Sequence, residues 1–143
     1  NDLAAFDDSE ITLGDGIGST LLLFVSPSCP VCKTLLPMVN SVARSEARHH
    51  PLQVVLASDG DTPDDRRQHL QFISAYNLAK DRYVISKRLG LAFVVEKLPF
   101  ATLIDKGGVI RAKGIVNSRE HLESLFEAHE RGVASLQEFL TSE

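Results

Sequence analysis

Cysteine is scarce in this chain: two residues among 143, both spent on one stretch, Cys29-Pro30-Val31-Cys32. That scarcity argues against a structural zinc site, which ordinarily takes four ligands. There is no second cysteine pair, and the histidines (His49, His50, His69, His121 and His129) have no spacing that completes a finger. A static disulfide within the pair would close a very short loop and gain little chain entropy. Positive charge is not in excess either. Fifteen Lys and Arg against 19 Asp and Glu give a net charge of −4, which argues against nucleic acid as a partner. No apolar run approaches the ~20 residues of a membrane-spanning helix. Signal peptide, internal repeat, low-complexity run and linker are all missing. The chain starts at Asn1 rather than methionine, so it reads as a processed or trimmed product that a targeting segment could once have preceded.

What is present is ordinary globular material. Apolar residues make up 43% and charged residues 24%, enough for one domain with a proper core over residues 1–143. Residues 1–19 are polar and glycine-rich, an extension or short strands, with a strand candidate at Ile11-Thr12-Leu13. Leu21 to Val25 is continuously apolar, as a buried strand would be. Ser26-Pro27-Ser28 breaks it, and Val31 to Arg48 then has helical spacing, with Pro37 inside it expected to kink the helix. Leu52 to Ala57 reads as a second buried strand. Thr62-Pro63-Asp64-Asp65 is a helix start, and that helix is expected to run to about Tyr76. Tyr83-Val84-Ile85 is a short strand candidate, followed by a brief helix near Ser86–Leu89. Ala101 to Asp105 and Val109 to Lys113 flank Lys106-Gly107-Gly108 and predict a β-hairpin. Asn117 or Ser118 caps a helix through about Glu130, and a last helix covers roughly Val133–Leu140. The alternation predicts an α/β fold, a mixed sheet with helices on both faces.

The cysteine pair sits where the first buried strand turns into a helix. A thiol at a helix N-terminus faces unpaired N–H groups and the positive end of the macrodipole, both of which favour thiolate. Cys-x-x-Cys motifs in such settings lower a cysteine from about 8.5 to roughly 3.5–7.5. Cys29 is therefore the expected nucleophile. Cys32, one turn later and closer to the interior, is the expected resolving thiol, and the redox-active disulfide they form would be the only cofactor. Pro30 and Val31 offer no side-chain donor to the thiolate, but as an apolar dipeptide they leave room for a protein substrate to pack.

These features resemble the thioredoxin fold: a buried strand, Cys29-Pro30-Val31-Cys32-Lys33, a proline eight residues after the first cysteine (Pro37), and Leu98-Pro99 leading into a hairpin. The resemblance implies that Leu98–Pro99 is a cis peptide facing the cysteines, and that the Leu98 backbone pairs with an extended substrate segment. The blocks Phe24 to Pro37, Lys97 to Asp105, Gly108 to Gly114 and Asn117 to Leu125 are similar to the MauD family of methylamine utilisation proteins, a similarity covering most of residues 20–140. The family implies a periplasmic thiol–disulfide oxidoreductase or isomerase, held at the inner membrane by an N-terminal helix. It also implies a disulfide-rich client, the small subunit of methylamine dehydrogenase, and a redox partner that resets the pair. This sequence departs from the family in lacking the anchor.

Thioredoxins place an acid six residues before the first cysteine to take the proton of the buried thiol. Here that position is Leu23, which cannot accept one. Glu96, three residues before Pro99, is a candidate proton shuttle, and so is Lys33; each reads equally well as a solvated surface charge. Two other classes stay open. A peroxiredoxin-like peroxidase would also use a low-pKa cysteine, although the threonine of its usual Thr-x-x-Cys arrangement is absent. A non-catalytic chaperone could retain the same fold. Direction of exchange is not written in the sequence, because ~30 mV, about 1.4 kcal/mol, decides it.

Overall fold

The computed structural model describes residues 2–58 and 63–130, together with Ser135, Gln137 and Leu140. Two short strands, β1 (Asp2–Ala4) and β2 (Glu10–Thr12), pair antiparallel as a separate hairpin. The chain then builds β3 (Ser19–Phe24), α1 (Pro30–Glu46), β4 (Leu52–Ser58) and α2 (Pro63–Ala75). A single 3-10 turn leads into β5 (Tyr83–Ile85), followed by α3 (Lys87–Ala92), β6 (Phe100–Ile104), β7 (Ile110–Ile115) and α4 (Arg119–Glu130). The main sheet has the order β5-β4-β3-β6-β7. Strands β3, β4 and β5 run parallel, whereas β6 is antiparallel to both β3 and β7.

The central strand β3 is covered on both faces, which is why it reads as an unbroken apolar run rather than an alternating one. Leu21, Leu23 and Val25 join a core completed by α1, by Phe72 and Ile73 of α2, and by Leu122, Leu125 and Phe126 of α4. Leu22 and Phe24 point the other way, with Val55, Ala57 and Val84, towards Leu89 of α3 and towards Ile11 and Leu13 of the N-terminal segment. The expected mixed α/β sheet with helices on both faces is thus observed.

Most elements fall where the sequence puts them, with shifted ends. β3 begins at Ser19 rather than Leu21, α1 stops at Glu46, and the strand expected at Ile11–Leu13 is Glu10–Thr12. The helix continues through Pro37, which is exposed, so the hydrogen bond that proline removes lies at the solvent side. Ser118 rather than Asn117 caps α4, its Oγ accepting from the backbone N–H of His121 at 3.2 Å. The helix expected over Val133–Leu140 and the cap expected at Thr62 lie outside the described residues, apart from Ser135, Gln137 and Leu140. In the β6–β7 turn, Asp105 Oδ1 accepts from the N–H groups of Gly107 and Val109, both at 2.9 Å. Gly14, at φ +75, lies so close to that turn that a Cβ would meet the Gly108 backbone at 2.6 Å. This contact pins the segment after β2 to the end of the sheet opposite the cysteines.

Candidate active site

Ser26-Pro27-Ser28 connects β3 to α1 as a tight turn. Cys29 N–H donates to the Ser26 carbonyl at 3.1 Å, and the Ser28 N–H donates to Ser26 Oγ at 3.3 Å. The turn delivers Cys29 to the N-cap of α1, in extended backbone conformation (φ −93, ψ 110), with Pro30 in the first turn. Proline suits that place because its missing N–H would be unpaired anyway. The capping group here is sulfur: Cys32 N–H donates to Cys29 Sγ at 3.2 Å. Negative charge on Cys29 would therefore meet both a donor and the positive end of a 17-residue helix.

The two cysteines differ in surroundings, and both are free thiols. Cys29 is part-exposed, whereas Cys32 is 0% exposed in the core beneath α1. Burial, then a hydrogen bond to Cys29, pushes the Cys32 thiol from 9.0 up to about 12. Around the pair the surface is apolar for its exposure. Val31, next to Cys32 in the chain, is exposed, and so is Leu98, whereas Pro99 is buried.

Leu98–Pro99 is cis, as the resemblance implied. Pro99 directly precedes β6, whose first residue, Phe100, pairs with Phe24, the last residue of β3. The cis peptide and the turn bearing the cysteines therefore leave neighbouring strands at the same end of the sheet. Upstream, Val94 is held at φ 55, a left-handed conformation that costs a β-branched residue roughly 1–2 kcal/mol.

The two proposed shuttles are placed less centrally. Glu96 is exposed and lines a cleft with Val25, Ser58, Ser86, Lys87, Leu91 and Leu98; neither cysteine lines that cleft. Lys33 is half-buried in the first turn of α1, its N–H donating to the Cys29 carbonyl at 3.2 Å. Leu23 is 0% exposed in the same core as Cys32. Among the described residues no group of three or more His, Cys, Asp or Glu is placed to hold a metal ion.

A polar cluster that sequence reasoning did not single out lies on the same face. Tyr83 of β5 and His69 of α2 are 0% and 2% exposed, with Tyr83 Oη 2.6 Å from His69 Nδ1. Ser58, at the end of β4, is also buried. Burial raises the Tyr83 hydroxyl well above the usual tyrosine range, and a negative Cys32 raises it further. The only signal in the sequence would have been a histidine on the apolar side of a helix.

A strand–turn–helix bearing a Cys-x-x-Cys pair, with a cis proline at the start of the neighbouring antiparallel strand, is a thioredoxin-like arrangement, and solved structures share the fold. A putative thioredoxin from Neisseria meningitidis superposes with a TM-score of 0.72 at 23% identity, covering 92% of this chain and 87% of that one. A putative thiol:disulfide interchange protein DsbE from Chlorobium tepidum gives 0.71 at 17% identity, with coverage of 90% and 92%. Residues 2–137 match the AhpC/TSA family, and the chain belongs to it.

Within that class the similarity is to methylamine utilization protein MauD. The Methylorubrum extorquens protein is 50% identical over 123 residues, covering 86% of this chain and 56% of that protein. The Methylobacillus flagellatus protein is 40% identical over 141 residues, covering 96% and 65%. The chain thus spans a little over half the length of the first of these relatives.

Proposed function

We propose that this chain is a protein thiol–disulfide oxidoreductase or isomerase, with the Cys29–Cys32 couple as its only redox cofactor. Cys29 attacks a client disulfide and forms the mixed disulfide. Cys32 then attacks Cys29 Sγ, releasing the client thiol and leaving the Cys29–Cys32 disulfide for a redox partner to reset. Leu98, Pro30 and Val31, all exposed, form the apolar surface on which an extended client segment rests, with the buried Pro99 next to Leu98 in the cis peptide. The observation that carries this reading is the asymmetry of the pair: a part-exposed sulfur at a helix N-cap and a fully buried one a turn later. Similarity to methylamine utilization proteins supports a periplasmic setting, an anchor to the inner membrane in the whole protein, and the small subunit of methylamine dehydrogenase as the client.

The test is a trap. A Cys32→Ser variant expressed with that subunit is expected to accumulate a covalent complex on non-reducing gels. Thiol reductant dissolves the complex, and Cys29→Ala abolishes it. If no mixed disulfide forms with this or any other disulfide-bonded protein, exchange is wrong. Rapid peroxide consumption by the reduced protein would then move the site to the peroxidase class.

A further inference from the structure

Between α3 and the end of the sheet from which the cysteine turn leaves lies a cleft of about 240 Å³. Its floor is Phe24, Val25 and Ala57, at the ends of β3 and β4. Its walls are Gly90 and Leu91 of α3, then Val95 and Leu98 of the loop that follows. Open α/β sheets bind ligands outside the carboxyl ends of their strands. Sites that enclose a whole small molecule run to roughly 300–1,000 Å³, so this cleft is sized for a side chain. Its polar groups select little. Ser86 Oγ already accepts from the Leu89 N–H at 3.1 Å, and the exposed Lys87 and Glu96 are opposite in sign. What is left is apolar surface without a net charge to attract an ion.

Gly90 has no reason in the fold itself. It lies inside a helix, where glycine is less favourable than alanine. Its φ is not positive, and a Cβ added there would meet nothing within 4 Å. The end of α3 shows what the missing side chain does. Val95 N–H donates to the Gly90 carbonyl at 3.0 Å, and Val94 N–H to the Leu91 carbonyl at 3.1 Å. Such an ending needs one left-handed residue, usually glycine, yet here Val94 takes φ 55. An apolar contact between the positions of Gly90 and Val95 frequently closes it. Glycine at 90 cannot make that contact, so the cleft stays open with Val95 as a wall. Glycine is thus absent where the backbone favours it and present where only the cleft gains.

We propose that this cleft is a specificity subsite for one aliphatic side chain of the client, taken from the extended segment that carries the attacked disulfide. This rests on the exchange reaction proposed above. Leu98 makes the two surfaces continuous, since it lines the cleft and belongs to the apolar surface on which the segment rests. Val25 lines the cleft too and leads into the turn that ends at Cys29. A strand-like segment turns alternate side chains to opposite sides. Main-chain pairing then provides affinity, and a pocket for one of the alternating side chains provides choice. The client class is therefore a disulfide with leucine, isoleucine or valine close by in an extended stretch. Charged residues at that place gain nothing.

The experiment uses peptides whose single cysteine carries thionitrobenzoate, so that attack by Cys29 on the peptide sulfur releases a coloured thiolate. The other residues are serine and threonine, apart from one leucine moved through the positions on either side of the cysteine. At one position leucine is expected to raise the second-order rate about tenfold over the all-polar peptide. Rates with dithiobis(nitrobenzoate), taken for every variant, correct for changes at the sulfur itself. In Gly90→Leu, whose side chain fills the cleft, the advantage of leucine is expected to disappear. Gly90→Ala is expected to melt roughly 1–4 °C higher than the wild type. A wild type with no preferred leucine position, a leucine advantage that survives Gly90→Leu, or a lower melting temperature in Gly90→Ala overturns the proposal. If Gly90→Leu does not fold, Leu91→Asp at the exposed wall takes its place with the same expectation, and a surviving advantage overturns the proposal equally. No release from any peptide or from dithiobis(nitrobenzoate) would instead sink the exchange reaction itself.

Discussion

Alternate residues of the same strands build the two faces of the central sheet, and the contrast between them is instructive. Beneath α1, α2 and α4, Leu21, Leu23 and Val25 share their core with Cys32 and Tyr83, and Tyr83 bonds His69. Against α3 and the N-terminal hairpin, Leu22, Phe24, Val55 and Ala57 meet only other apolar groups within their cluster. Two buried polar residues of the strands there are Thr20, which takes a hydrogen bond from Gln53 at 2.9 Å, and Thr102. Thr102 pairs with Leu22 in the sheet, and its buried Oγ1 has no hydrogen-bond partner. Both faces stabilise the fold by excluding water. One of them also holds a connected polar cluster within the core of the buried thiol. Hydrogen-bonded polar groups inside a core cost little, whereas an orphaned one costs about 1–3 kcal/mol, so the cluster is retained cheaply and Thr102 is a small defect.

Substitutions on each side test that contrast. The largest effect is expected for Leu23→Asp, which supplies an acid at the central-strand position. It loses a buried leucine and buries a carboxylate, and is expected to cost roughly 3–5 kcal/mol in urea unfolding. Leu22→Ala, on the opposite face, is expected to lose about 2–5 kcal/mol by cavity formation alone. Its thiol reactivity should stay that of the wild type; altered Cys32 kinetics in Leu22→Ala would mean the faces are not separate in function. Tyr83→Phe leaves His69 without its 2.6 Å partner and is expected to cost about 1–3 kcal/mol. Thr102→Val removes the orphaned oxygen, and is expected to be neutral or to stabilise by about 1 kcal/mol. A clear loss would show that Thr102 is bonded in solution.

Protonation gives a further handle on the thiol face. Folding raises the Cys32 thiol from 9.0 to about 12, so the folded state prefers the protonated form. That stability is fully present below the unfolded value and is lost as pH rises from 9.0 towards about 12. The reduced protein is therefore expected to melt at falling temperature over that interval, and Cys32→Ala to show a flatter alkaline limb. An equal slope in both would place the alkaline loss elsewhere.

Much of the framework is visible in the sequence because its signals are local. A continuous apolar run marks β3, 3.6-residue spacing marks α1, and Gly107-Gly108 between two strand-like runs marks the β6–β7 hairpin. The cysteine pair and Leu98-Pro99 are likewise short motifs. The first hairpin was only half visible, since β1 and β2 have three residues each and contain little periodic information. The Tyr83–His69 pair was invisible for another reason. Its members come from a helix and a strand 14 residues apart, and only the parallel register of β4 with β5 sets Tyr83 in the row of Leu23. Glu96 shows the converse: close in sequence to Pro99, it lies exposed on a cleft that neither cysteine lines.

The division of labour between the two sulfurs can be read directly by alkylating the reduced protein with iodoacetamide and following each cysteine by mass spectrometry across pH. Cys29 is expected to be modified first and at neutral pH. Cys32 should stay protected until pH approaches the value of about 12 to which burial pushes it. Equal rates at the two sites, or earlier modification of Cys32, would contradict the assignment of Cys29 as nucleophile and Cys32 as resolving thiol.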